Sequence, residues 1–222
     1  MKAIIVNSNP ILSDKIKKHF KSVDYYHIEE KDDLSVETLN SIQPDFVFFP
    51  HWSYIIPKVI YNNYNCVVFH MTDLPFGRGG SPLQNLISRK MYETKISAIR
   101  VVKELDAGPV YLKKDFSLFG NAEEIYLRAG DLIIEMINEI IKTRPIPVEQ
   151  QGTPVAFKRR TSEMSAIDKT ESLEELFDHI RMLDAEGYPK AYLENETFRF
   201  EFSRASLKSN NTIIADVRIF KK

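Results

Sequence analysis

A single cysteine in 222 residues leaves this chain no disulfide framework and no multi-cysteine metal site. Cys66 stands inside an apolar run, CVVF, where a buried thiol is the expected state. Net charge is equally scarce: basic and acidic side chains nearly cancel to leave −1, with a pI near 6.5. That balance offers no electrostatic footprint for nucleic acid or an anionic membrane and disfavours a polyanionic partner. No apolar run approaches the length of a membrane span, and the amino terminus opens directly on MKAIIVN, without the basic flank, apolar core and cleavage site of a secretory signal. The expectation is a cytoplasmic protein with no membrane partner. Glycine-rich phosphate loops are missing too, since Gly77-Arg78-Gly79-Gly80 has neither the Walker nor the dinucleotide spacing. The histidines have no HExxH or CxxC company, so no metal is expected.

The first half of the chain alternates strand and helix patterns. Ala3 to Val6 is a short apolar run; after a turn at residues 7–10, Ile11, Leu12, Ile16 and Phe20 fall at helical spacing. Tyr25 to Ile28, Leu34 to Ile42 and Asp45 to Phe49 continue as strand, helix and buried strand. This order predicts an α/β fold, a twisted, mostly parallel Rossmann-like sheet with helices on both faces. HWSYIIP, after Pro50, reads either as a hydrophobic plug or as part of a site. A fourth strand at Cys66 to Phe69 is followed by a long loop, then a helix from Ser81-Pro82 to about Met91. Lys95 to Lys103 and Val110 to Phe116, joined by Leu105-Asp106-Ala107-Gly108-Pro109, suit an antiparallel pair. A long amphipathic helix starts near Asn121, and residues 144–164 are linker-like. The predicted division is a catalytic domain, 1–164, and a small helix-plus-sheet subdomain, 165–222, in which Ser172 and Glu175 form a capping box. The tail's strands suit pairing across a homodimer.

His70 ends the fourth strand. In a parallel sheet ligands bind outside the carboxyl ends of strands, so His70 is a candidate catalytic group, a hydrogen-bonded core histidine being the alternative. Asp106 lies in the turn after the next strand. If the two strands are neighbours, imidazole and carboxylate can meet, an arrangement suited to moving a proton for an amine nucleophile. A plain turn residue is the other reading of Asp106.

These stretches resemble the folate-dependent formyltransferases. Residues 69–83, FHMTDLPFGRGGSPL, are similar to one signature of that family, and Leu105-Asp106-Ala107-Gly108 to a second; residues 45–57 resemble its pteridine-flanking strand and loop. The resemblance implies formyl transfer from 10-formyltetrahydrofolate to an amine, with His70 and Asp106 catalytic and no metal. It implies a pteridine pocket formed by Trp52, Tyr54, Ile56 and Leu105, and substrate contacts at Arg78, Gly79 and Gly80. One residue departs: an asparagine of the family, thought to hold the formyl oxygen, is Val68 here. Losing such a donor typically costs about 2.7 to 4 kcal/mol. Thr72, Ser81 and Asn85 are the candidates to replace it.

The acceptor is read from the tail. Residues 165–222 carry slightly more acidic than basic side chains, which argues against tRNA, and residues 180–192 with Phe198-Arg199-Phe200 resemble the tails of sugar N-formyltransferases. The expectation is therefore the amine of an amino sugar, nucleotide-linked or a nonulosonic acid precursor such as a pseudaminic acid intermediate, as small-molecule partner, in carbohydrate biosynthesis and with no nucleic acid. The alternatives are a degenerate folate or sugar binding module and a formyltransferase for another small amine.

Overall fold

The computed structural model describes residues 1–168 and 170–222; the side chain of Ile11, counted above in the first helical pattern, lies outside the described part. The chain runs through β1 (Ala3–Asn7), α1 (Pro10–His19), β2 (Tyr25–Ile28), α2 (Val36–Ile42), β3 (Phe46–His51), α3 (Lys58–Asn63) and β4 (Cys66–His70). These four strands lie in the order β2-β1-β3-β4 and are parallel. β1 is buried at every residue and β3 at all but its last. Strands covered on both faces read as unbroken apolar runs, which is why AIIV and FVFF lack alternation. β2 lies on one side of β1 and β3 on the other, so the carboxyl ends of β1 and β3 flank a topological switch point, where open α/β sheets place ligands.

β5 (Phe76–Gly79), α4 (Pro82–Ile87), β6 (Glu93–Arg100) and β7 (Val110–Ser117) follow. β6 runs antiparallel to β4, and β7 closes the edge of the six-stranded sheet. The Arg100 amide bonds the Pro109 carbonyl at 2.9 Å, and the Leu118 amide bonds the Tyr92 carbonyl at 2.8 Å. Those bonds close opposite ends of β6 and β7, so the two run in opposite directions, as their short connection predicts. The chain ends with α5 (Ala122–Thr143), β8 (Val155–Phe157), α6 (Leu173–Arg181), β9 (Ala191–Glu194), β10 (Phe198–Lys208) and β11 (Thr212–Lys221). The last three form an antiparallel sheet, β11-β10-β9, with α6 against β10. The α/β architecture with a small C-terminal helix and sheet is the one the sequence predicts. No helix among the described residues is long and apolar enough to cross a membrane.

Ser81 stands at the N-cap of α4 without a side-chain cap bond, while the caps at Asn121 and Ser172 form through side chains. Asn121 Oδ1 accepts from the Glu124 amide and Glu124 Oε2 accepts from the Asn121 amide, each at 2.9 Å, while Ser172 Oγ accepts from the Glu175 amide. Three elements differ from expectation. α3 follows HWSYIIP and buries only Ile60, too little apolar surface to show as a period. β5, inside the predicted loop, pairs with β8, inside the predicted linker, and neither strand carries a local signal of its distant partner. α4 stops at Ile87 rather than near Met91, with Lys90 at a φ of 58°.

Contacts divide the chain into two units. The first comprises residues 1–79, 94–116 and 126–156; the second comprises 80–93, 117–125 and 157–222, so its C-terminal part starts ahead of the expected boundary at 165. In the first, Val47, Phe49, Ile60 and Cys66 belong to one buried cluster. Burial pushes the Cys66 thiol from its ordinary value of 9.0 up to about 12. In the second, Arg181 is the polar centre. Only 3% exposed, it donates from Nη1 to the carbonyls of Leu118 and Gly120 at 2.7 Å each, and from Nε to Asp178 Oδ1 at 2.6 Å. Asp178 Oδ2 also accepts from the Tyr92 hydroxyl at 3.1 Å.

Two outcomes follow from this packing. Arg181→Ala leaves a buried carboxylate without its counter-ion and two carbonyls without their donor; the expected loss is about 3–5 kcal/mol, read as a lower urea midpoint. Cys66 should resist thiol reagents at pH 8 in the folded protein and react on unfolding. Because the folded thiol keeps its proton to about pH 12 and the unfolded one only to about 9, its contribution to stability is full below pH 9 and declines as the pH rises towards 12.

Candidate active site

His70 is the last residue of β4, and its side chain is mostly buried. Nε2 lies 2.7 Å from the Gly77 carbonyl oxygen, and Nδ1 lies 3.5 Å from Asp106 Oδ2. Both ring nitrogens therefore face oxygen acceptors: a protonated ring can donate to both, a neutral ring to only one. Asp106 takes a left-handed backbone, φ 52°, in the β6–β7 loop. Its Oδ2 accepts from the Gly79 amide at 2.9 Å, so one oxygen is fixed between a main-chain donor and the imidazole.

The loop is held by a residue with no sequence signal. Gln150 Nε2 donates to the carbonyls of Asp106 and Gly108, both at 2.8 Å, and its Oε1 accepts from Arg78 Nε and Nη2 at 3.1 and 2.7 Å. Gln150 stands in the stretch predicted as linker, more than forty residues from the loop it ties, so local pattern could not find it. Gly108 completes the hold: a Cβ there would lie 1.7 Å from the Arg100 carbonyl oxygen, so only glycine allows this backbone approach.

A cavity of about 510 Å³ opens beside the pair, within the first unit. Trp52, Tyr54, Ile56 and Leu105, the predicted pteridine residues, all line it, as do His70, Asp106 and Val68. Trp52 and Val68 pack against the cluster that contains Phe49 and Ile56, while Tyr54 meets the indole edge-on at 5.1 Å. The walls are mainly apolar with a few polar groups, a composition that fits a flat heteroaromatic ligand. His51, which belongs to the stretch similar to the family's pteridine-flanking strand and loop, also lines the cavity. Burial holds its pKa below the ordinary histidine range.

The other expected residues are placed as follows. Thr72 is wholly buried, its hydroxyl 3.5 Å from the Gly77 carbonyl. Ser81 and Asn85 belong to the second unit. There Ser81 Oγ accepts from the Arg160 amide, and Asn85 Nδ2 donates to the carbonyls of Gly80, Ser81 and Lys158. Gly79 serves Asp106 through its amide and Arg78 is turned to Gln150. Gly80, in the second unit, lies close against Arg159, where a Cβ would meet the Arg159 side chain at 2.6 Å. Among the described residues no group of three or more His, Cys, Asp and Glu is placed to hold a metal ion.

Comparison with known proteins bears on the acceptor. A family model described as the methionyl-tRNA formyltransferase C-terminal domain matches residues 162–220. The solved structure of a methionyl-tRNA formyltransferase from Clostridium thermocellum is 48% identical, with full coverage of both chains and a TM-score of 0.95. A methionyl-tRNA formyltransferase from Wolbachia pipientis is 25% identical over 187 residues, 81% of this chain and 60% of that protein. This chain thus spans about 60% of the length of the curated relatives it matches. A likely sugar N-formyltransferase from Mycobacterium tuberculosis covers 97% of the chain at a TM-score of 0.68 but only 14% identity, a likeness of fold alone.

These findings overturn the amino-sugar expectation. With it go the small-sugar partner, carbohydrate biosynthesis, the exclusion of nucleic acid and both alternatives, the degenerate binding module and the enzyme for another small amine. The physical reason lies in how charge was counted. The sum over residues 165–222 leans acidic and the sum over their whole unit stays near neutral, but neither says where charges stand: Arg89, Lys90, Lys158 and Arg159 of that unit are all exposed. By its full-length likeness and its two signatures, the chain belongs to the formyltransferase family, whose members carry a formyl group from 10-formyltetrahydrofolate.

Proposed function

We propose that this chain transfers the formyl group of 10-formyltetrahydrofolate to the amino group of methionyl-tRNA. The observation that carries the reading is the His70–Asp106 pair, 3.5 Å apart, at the wall of an apolar cavity sized for a small ligand. The likeness to the Clostridium thermocellum protein and the match at residues 162–220 support methionyl-tRNA as the acceptor. Such a substrate places the protein in the cytoplasm. Residues 1–164 are read as the catalytic domain and 165–222 as the small C-terminal one.

The residues suggest how the reaction is carried. Trp52, Tyr54, Ile56 and Leu105 provide the apolar surface on which the pteridine lies. His70 and Asp106 serve the attack of a neutral amine on the formyl carbon: one carboxylate oxygen is fixed by the Gly79 amide, so the imidazole is oriented without reorganisation during the reaction. The pair supplies the proton that the folate nitrogen takes up as its bond to carbon breaks. Arg78 and Gln150 act at one remove, by holding the Asp106 loop.

Methionyl-tRNA incubated with radiolabelled 10-formyltetrahydrofolate should become labelled at its aminoacyl group; no transfer to tRNA by the active protein would sink the reading. His70→Ala and Asp106→Ala should each lower turnover by about 10²–10⁴-fold, and near-normal rates in either would remove that residue from the chemistry. Trp52→Ala should raise the folate KM more than it lowers kcat, since it removes contact surface away from the reacting atoms; an unchanged KM would take Trp52 out of the pocket.

A further inference from the structure

β11 is the outer strand of the C-terminal sheet, and among the described residues no strand pairs with its far side. Proteins blunt such an edge with proline, a short strand or a bulge. β11 has ten residues, TIIADVRIFK, without proline, and the register shift of the β10–β11 pair falls between Ser203 and Ser206 of β10. The strand is also poorly covered. Ile214 and Ile219 are each 62% exposed, and Val217 and Phe220 are exposed beside them. A row of open main-chain donors and acceptors therefore runs between two rows of unburied apolar side chains, a surface suited to one more strand.

The two central charges, Asp216 and Arg218, discriminate among possible partners. Two copies of this strand related by a two-fold axis pair antiparallel about a central residue, since the axis stands perpendicular to the sheet and keeps each face on its own side. Centring on Asp216 or on Arg218 sets like charges opposite each other. Centring on Val217 sets Asp216 opposite Arg218 of the second copy, and symmetry makes that pair twice. The same register sets Val217 against itself, Ala215 opposite Ile219, Ile214 opposite Phe220 and Ile213 opposite Lys221, so residues 213–221 all find a partner. Opposite charges and an aromatic beside a β-branched residue are the favourable cross-strand pairs. Asp216 Oδ2 is already held by Arg204 of its own chain, which leaves Oδ1 for the second copy.

We propose that β11 is a dimer interface, paired antiparallel with β11 of a second copy of this chain and centred on Val217. The two three-stranded sheets become one of six strands, β9-β10-β11-β11-β10-β9. One face of the junction carries Ala215, Val217 and Ile219 of both copies, and the other carries the two Asp216–Arg218 pairs between Ile214 and Phe220. Apolar area removed from water supplies the attraction, and the charges fix the register. The strand belongs to the second unit, and its pairing does not depend on which amine is formylated.

Sedimentation equilibrium of the whole chain at micromolar concentration tests the interface, the expected mass being twice 25.8 kDa. Arg218→Glu sets acid opposite acid and Asp216→Arg sets base opposite base, so each alone should weaken the dimer by about tenfold or more. Mixed, one strand is acidic at both central positions and the other basic at both, and the dimer should return as a heterodimer. Val217→Cys should be joined to its own copy by a thiol cross-linker of short reach, whereas Ala215→Cys and Ile219→Cys should be joined only to each other; the native Cys66 is buried and takes no part. The cysteine variants keep both charges, so they answer the question should a charge variant fail to fold. A single-chain mass for the unmodified protein overturns the proposal. So does a dimer that neither charge variant weakens, a pair of folded charge variants that stay apart when mixed, or a folded Val217→Cys that does not cross-link. A monomer whose affinity for tRNA falls in Arg218→Glu also overturns it, since the strand then serves tRNA.

Discussion

One hydrogen bond, from the Gly79 amide to Asp106 Oδ2, sets the geometry of the candidate site. It joins the segment after β4 to the loop between β6 and β7, and it places the carboxylate oxygen against which His70 is aligned. The bond exists only because the Asp106 loop is drawn into a left-handed turn, and three other features make that turn possible. Gln150 bonds two of the loop's carbonyls, Arg78 grips Gln150, and Gly108 lets the chain pass hard against the Arg100 carbonyl. Each acts on the backbone rather than on the reacting atoms. A catalytic carboxylate in a loop would otherwise sample several positions, and misplacement by about 1 Å far from the chemistry costs as much as 10²-fold in rate.

The parts of this arrangement that sequence could show are those with local causes. Buried parallel strands announce themselves as apolar runs, caps as Ser or Asn three residues ahead of Glu, and a strand-end histidine by its place before a Pro- and Gly-rich loop. His70, Asp106 and the wall residues Trp52 and Ile56 were legible on those grounds and by family likeness. What stayed hidden was set by contacts distant in sequence. β5 and β8 are short strands that form only on each other. Gln150 looks like any polar residue in a Pro-rich stretch until the loop it ties is folded beside it. His51 sat in an aromatic segment with two open readings, and only the register of β1 and β3 shows that it stands opposite Asn7.

The acceptor was misread for a related reason. Charge was summed over a contiguous tail, whereas the folded unit is assembled from three stretches of chain, two of them from before α5 or its first turn. Nucleic acid responds to the basic residues that share a surface, and sequence order does not define surfaces. Exposed Arg89, Lys90, Lys158 and Arg159 enter the unit from segments that a sum over residues 165–222 leaves out. The unit stays near neutral once Glu93, Glu123, Glu124 and Glu163 are counted with them, so what bears on tRNA is where the exposed basic side chains stand and not a sum, and composition alone could not exclude it.

Val68 shows how one strand position shapes the wall of the cavity. Valine at that position makes the wall of the cavity apolar between Phe49 and Ile99, its partners on the neighbouring strands. The next position on that face of β4 is His70, which lines the same cavity. With valine at that place, the polar groups at the wall are the imidazole that ends β4 and the carboxylate that the β6–β7 loop brings to it, so the hold on that one loop decides the geometry of the pair.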